Sequence, residues 1–421
     1  MKFSTPLKFI ISLSFKNLTR YRRRTLITAG AIAFGIMMFI MVDSMLRGAE
    51  YESVRNLKWY ETSSVRIHNA DYWENRHQFP LDISIDGAGG IVEKLEAAGY
   101  KAAARSVFSG DLILNAEDFG EDGHLPAIIT AVDPLRDNDV FHFGDTLIDG
   151  RFLESGEDGI ILGSWLAEDI GAETGNWITI LTRGNGGFYE SMDMEVVGIV
   201  NCPNPNVNRM LVMIPIDTAG EYLAMDGAAT EINIRLGDNA DTAAEAAAVE
   251  SIISDPSLTV MDWRELAADY LALAEAKRGG SGIILFLIFI IAAVGISNTM
   301  LMAIYERIRE LGMMRSLGMS NAHIRATFIS EAAGIGMIGS AIGVVLGILI
   351  NIYVVEIGFD IGFVLREMDV GYRIQSVMRG AWNFDTIIGA FFAGTLITTI
   401  VALIPTGKAL KMDIPACLRH Q

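Results

Sequence analysis

The chain has 421 residues, 51% of them hydrophobic, and a formal charge of -18. A mean hydropathy of +0.34 over this length excludes an ordinary soluble domain and puts membrane spans first. The acidic balance repels nucleic acid and gives no support for binding it.

Residues 1–24 hold Lys2, Lys8, Lys16, Arg20, Arg22, Arg23 and Arg24 and no acid. Leu7, Ile11, Phe15 and Leu18 fall on one helical face, with Lys8, Lys16 and Arg20 to the other side, which predicts an interfacial helix on anionic lipid. Residues 25–46 form the first span, and no small-residue cleavage site follows, so an uncleaved anchor is expected. Met37, Met38, Met41 and Met45 concentrate in its outer half beside Asp43. Of these, Met38, Met41 and Met45 share a face, either an adaptable wall for an apolar substrate or plain packing filler. Asp43 is a functional candidate by its depth.

Residues 47–280 count 16 basic against 41 acidic side chains and read as one extracytoplasmic domain. Alternation and glycine punctuation predict strands at 64–68, 100–114, 126–132, 159–162, 177–182, 194–200, 210–215, 229–236 and 258–261. Helices are expected at 91–98, 164–170 and 242–253, and the pattern is helical again from Trp263 towards the next span. The stretch LTRGNGGFYESMD, 181–193, predicts a short hairpin with Phe188 and Tyr189 near its tip. The acidic run Glu117, Asp118, Glu121, Asp122 reads as a solvated loop before a Ca²⁺ site. His68, His77, His124 and His142 read as surface groups.

A second span is expected at 282–304, where Phe286 and Phe289 would oppose the methionine face. Residues 305–327, YERIRELGMMRSLGMSNAHIRAT, predict a short amphipathic helix with its charges turned out, and Ser320 offers a cap for the next helix. Spans three and four fall at 328–355 and 386–404 around an outer loop, 356–385, holding Arg366, Arg373 and Arg379, before the tail 405–421. Gly339, Gly343 and Gly347 form a ridge that lets helices approach closely, and Glu331 is expected near the cytoplasmic interface. Basic residues cluster before span one, in 305–327 and in the tail, so both termini face the cytoplasm. Cys202 and Cys417 then lie on opposite sides of the membrane and cannot bridge. The expected architecture is a membrane α-helical protein of four transmembrane helices, with a large α+β domain inserted between the first two.

ERIRELGMMRSLGMS, followed by HI and F-x-x-E, resembles the E-R-x-R-E-[IL]-G-x-x-R-x-[LI]-G signature of FtsX-like permeases. GRFLESGEDGIILGSWLAEDIGAETGNWITI and MEVVGIV…MIPIDTAGEYL are similar to the periplasmic domains of MacB-type and lipoprotein-releasing permeases. VMDWRELAADYLALAEAKRGG with the apolar run after it resembles most the lipoprotein-releasing subunits LolC and LolE. Pro405, Lys408, Ala409, Pro415, Leu418 and Arg419 match the family's closing pattern. The resemblance implies a transmembrane subunit of an ABC transporter in the cytoplasmic (inner) membrane, paired with a second copy or a paralogue. It implies that Glu306, Arg307, Arg309, Glu310, Leu311, Gly312, Arg315, Leu317 and Gly318 meet a cytosolic ABC ATPase dimer. The outer domain would divide into a porter region and a β-rich sabre insert at about 120–220. The implied substrate is a lipoprotein or another apolar molecule; the alternatives are peptide or antibiotic export, or FtsX-type control of cell-wall hydrolases. A periplasmic carrier is possible, but the family's long proline-containing hairpin is replaced here by the short 181–193 stretch. No G-x-x-x-x-G-K-[ST] loop and no catalytic or metal motif occurs. ATP and Mg are thus expected on the partner, with no cofactor and no enzyme activity in this chain.

Overall fold

The computed structural model describes residues 16, 20, 22–120, 122–238, 240–275, 308–360 and 377–410, with isolated positions between 287 and 302. The chain divides into two compact units, one formed by Glu52–Leu273 and the other by the segments before and after it.

Helix α1, Arg22–Leu57, continues past the expected span end at Leu46 as one element. It passes into a π-helical turn, Lys58–Thr62, and then into Ser63, held at φ 59°. A left-handed serine is uncommon. Here its hydroxyl lies 2.9 Å from the Val65 carbonyl and 3.1 Å from the Asn233 side chain, which fixes the conformation.

In the Glu52–Leu273 unit, β1 (Val65–Asn69), α2 (Ala88–Ala97) and β2 (Lys101–Leu114) come first. There follow β3 (Gly123–Val132), β4 (Leu147–Gly150), β5 (Gly159–Gly163), α3 (Ser164–Ile170), β6 (Trp177–Arg183) and β7 (Tyr189–Val200). Then α4 (Pro205–Met210), β8 (Val212–Pro215), α5 (Ile216–Leu223), β9 (Glu231–Arg235), α6 (Thr242–Ile253) and β10 (Leu258–Asp262) complete the unit. The expected strands are present, and β7 begins five residues earlier than the apolar alternation indicated. Its first turnings, Tyr189, Ser191 and Asp193, are exposed while Met192 is buried, so only one face is apolar.

The sheet runs β10-β1-β9-β2-β3-β8-β5-β7-β4, and β6 pairs both β2 and β7. The ladders β2–β3, β3–β8, β8–β5, β5–β7, β7–β6 and β6–β2 therefore close a six-stranded ring. Alternate residues fill it: Phe108, Leu112, Ile129, Ile160, Leu162, Ile178, Ile180, Met192 and Met194 form one core. A second core lies where α2 and α6 cover β1, β9 and the start of β2, through Val65, Ile67, Val92, Leu95, Ile232, Ile234 and Val249. The 14-residue β2 runs through both, Ala102 and Ala104 in one and Phe108 and Leu112 in the other.

In the other unit, α7 (Ile308–Ser316), α8 (Asn321–Glu356), α9 (Phe384–Val401) and α10 (Leu403–Leu410) join α1. Among the described residues, three stretches are long and apolar enough to cross a membrane: Thr25–Thr62, Asn321–Glu356 and Phe384–Lys408. The remaining expected span, 282–304, with Phe286 and Phe289, lies largely outside the described residues. Along α9 and α10 the hydroxyls of Thr395, Thr398, Thr399 and Thr406 donate to the carbonyls of Phe391, Gly394, Thr395 and Ala402, one turn back in each case. Glu331, expected near the interface, is 3% exposed within this unit.

Candidate functional site

The charged segment between α7 and α8 is built around a sharp corner. The Gly318 amide donates to the Arg315 carbonyl (3.1 Å) and the Met319 amide to that of Met314 (3.1 Å). Gly318 sits at φ 87°. That pair of bonds is the Schellman arrangement, and its left-handed position is one glycine fills without steric cost. Ser320 then caps α8, its hydroxyl accepting from the His323 amide. Two helix ends are thus satisfied within three residues, which makes the corner stiff. Gly312 is buried, Glu310 and Arg315 are half-buried, and Met313 and Leu317 stand out at 48% and 88% exposure. Arg309 and Leu311 are placed in α7 by backbone only; Glu306 and Arg307 lie outside the described residues.

The glycine ridge of α8 faces α1. A Cβ at Gly339 would lie 2.9 Å from the Ala29 carbonyl, and one at Gly343 2.8 Å from that of Ala33. At Gly347 the nearest atom is Ile40 Cδ1, at 2.8 Å. Two further close approaches escaped the sequence reading: Gly336 against Thr398, and Gly394 of α9 against Ile36 and Ser340. The pairing of Gly336 with the flagged ridge, three residues before it, was the available signal.

Further along α1, the Ala381 amide donates to the Ser44 carbonyl (3.0 Å) and the Ser44 hydroxyl to the Ala381 carbonyl (3.0 Å). Asp43 accepts from the Asn383 side-chain Nδ2 at 2.7 Å. Asp43 is thereby a packing partner of the chain entering α9. Met38, Met41 and Met45 are all half-buried on α1.

In the Glu52–Leu273 unit, Arg105 and Asp137 form a buried two-pronged pair, 2.7 and 2.9 Å, with the guanidinium 3.3 Å over the Phe141 ring. Burial pushes the Asp137 carboxyl upward, and Arg105 pulls against it. His68, expected at the surface, is 1% exposed. Its ring stacks on Trp73 and meets the Asn69 carbonyl and Met261 sulfur, and burial lowers its affinity for a proton. The acidic run is used structurally: Asp118 accepts from the Trp177 amide and Asp122 from the Ala116 amide. Phe188 and Tyr189 stand at the β6–β7 turn, 76% and 65% exposed.

An FtsX-like permease C-terminal model matches residues 282–414, and a MacB-like periplasmic core domain model matches residues 25–252. With the apolar helices, these matches define an ABC-transporter permease that carries an extracytoplasmic domain. The chain belongs to the FtsX-like permeases with a MacB-like periplasmic core domain. The lipoprotein-releasing system transmembrane protein LolC of Neisseria meningitidis is 28% identical over 418 residues, covering 94% of each chain. The macrolide export ATP-binding/permease protein MacB of Escherichia coli is 24% identical over 416 residues, covering 96% of this chain and 59% of that one. The crystal structure of the periplasmic region of MacB from Actinobacillus actinomycetemcomitans covers 52% of this chain and 97% of that one at 15% identity, with a TM-score of 0.36.

Proposed function

We infer that the chain is the membrane subunit of a transporter that lifts lipoproteins, or another lipid-anchored apolar substrate, out of the cytoplasmic membrane. ATP hydrolysis is the work of a separate cytosolic ATPase dimer, bound at Glu306–Gly318, and a second copy or a paralogue completes the channel. Both chain termini lie on the ATPase side. The observation that carries this reading is the stiff corner at Gly318 and Ser320. Backbone bonds and a cap tie α7 to α8 there, so a push on Met313 and Leu317 passes into a span instead of being lost in a loop. Lipoprotein release is preferred over macrolide export because the LolC relative matches along 94% of both chains, whereas MacB extends well beyond the matched part. The short β6–β7 turn argues against a long hook for a periplasmic carrier in this subunit.

Met38, Met41 and Met45, with Phe286 and Phe289, are the proposed substrate wall. A photo-crosslinker at Met41 or Met45, in the chain assembled with its ATPase, should capture lipoprotein without nucleotide. It should release it when a non-hydrolysable ATP analogue is added. Capture of phospholipid alone, indifferent to nucleotide, would remove the methionine face from the path.

A further inference from the structure

Strand β3 is paired along its whole length on one side only. Toward β2 its ladder runs from Gly123 to Val132, whereas toward β8 it covers Thr130–Val132 alone. Among the described residues, no backbone bond satisfies Gly123–Ile129 on the β8 side. A cavity of about 1060 Å³ opens beside this stretch, lined by Leu125–Ile128, by α3 and the end of α4, and also by Phe108–Asp111 of β2 and Leu181–Arg183 of β6. Exposed edges of this kind accept a further strand unless blocked or covered. Pro126 lacks one donor, but the remaining amides and all the carbonyls of the edge are intact.

We propose that the β3 edge is a docking site for an extended polypeptide segment that adds a strand in line with β8. A strand needs a slot about 4.8 Å from its neighbour and pockets for alternate side chains. Leu125 and Ala127, packed on the barrel core, and Ile170 and Met210 across the cavity supply apolar pockets. Met210 is 55% exposed, an apolar side chain left at the mouth.

The charges select the segment. Asp82, Asp111 and Asp169 line the cavity against Arg183 and Arg209. Both arginines are turned to aromatic rings, Arg183 to Tyr189 and Arg209 to Trp165. Asp111 meets His124 at 3.2 Å, and no ion pair holds Asp82 or Asp169 among the described residues. The surrounding domain carries 41 acidic against 16 basic side chains. The fitting partner is therefore a strand with apolar residues at alternate positions and lysine or arginine between them. This holds whatever the chain transports.

The test uses the full chain in lipid nanodiscs and a fluorescein-labelled nonapeptide alternating valine with lysine, read by fluorescence anisotropy. The peptide should bind. Met210→Lys, at an exposed position, should weaken binding about tenfold through lost apolar contact and added repulsion. Ile128→Pro, checked for unaltered thermal unfolding, should do the same by blocking the ladder. The same peptide N-methylated at alternate amides, and a valine–glutamate version, should each bind at least about tenfold more weakly. Equal binding of the methylated peptide would reduce the site to a greasy surface and overturn the proposal. So would no binding by any peptide, or self-association of the chain that the same two substitutions abolish.

Discussion

Arg105 has no exposed surface to spare, yet it is charged. Its guanidinium forks onto Asp137 and lies on Phe141, so desolvation is offset by two short bonds and a ring face. Removing one partner strands the other. Arg105→Ala should destabilise the chain by about 3–5 kcal/mol, seen as an earlier denaturant midpoint in detergent. The double variant Arg105→Met, Asp137→Leu should recover most of that loss, because no charge is then left in the core. A double variant as unstable as the single would show that packing on Phe141, not the ion pair, is the main contribution. None of this was legible beforehand: residue 105 reads as one more position in an extended run, and its partner stands 32 residues away. His68 was misjudged for a related reason. Histidine is neutral enough to be buried, and nothing local announces that Trp73 and Met261 close over it.

Helix faces and strand alternation were readable because they depend on spacing within one element. The α3 helix after β5, the α6 helix and the cap at Ser320 follow from such local rules. The glycines of α8 were readable as a ridge, but their unequal tightness was not. Gly343 meets backbone of Ala33, which cannot yield, whereas at Gly347 the nearest atom is the tip of the Ile40 side chain, which can rotate away, and the Ile40 Cβ follows only at 3.2 Å. Gly343→Ala should therefore lower the detergent melting temperature by several degrees, corresponding to roughly 1–3 kcal/mol of overpacking. Gly347→Ala should cost less than half as much, and Gly389→Ala, with open space around it, nearly nothing. Equal losses at all three positions would rule out contact with α1 as the cause, since helix propensity alone favours alanine over glycine.

At the scale of the whole molecule the membrane class was plain from composition, and the division into helices and a strand-rich insert followed from it. The closing of six strands into a ring was not, since it rests on β6 pairing both β2 and β7 across long stretches of sequence. Local alternation cannot rank such partners. The charged corner between α7 and α8 stands out by motif, and the role proposed for it is tested by reversing charge on the half-buried Glu310 and Arg315 of α7. Glu310→Lys with Arg315→Glu should weaken ATPase binding at least about thirtyfold, measured by co-purification and by stimulation of ATP hydrolysis. The variant's own melting curve should stay near wild type. Unchanged coupling in that folded variant would place the ATPase contact elsewhere.

The threonines of α9 and α10 carry a different lesson. The hydroxyls of Thr395, Thr398, Thr399 and Thr406 are already bonded to carbonyls one turn earlier in the chain. Their donors are thereby satisfied largely within the chain, with Thr395 also 3.5 Å from the Ser340 hydroxyl of α8. The outward residues Ile388, Phe392, Leu396 and Ile400 recur at every fourth position, 51–65% exposed, and are pure hydrocarbon. Such a surface has nearly the same energy against lipid tails as against another apolar helix. It can slip from one to the other without leaving a polar group stranded. A helix with such a face can trade lipid contacts for protein contacts at little cost.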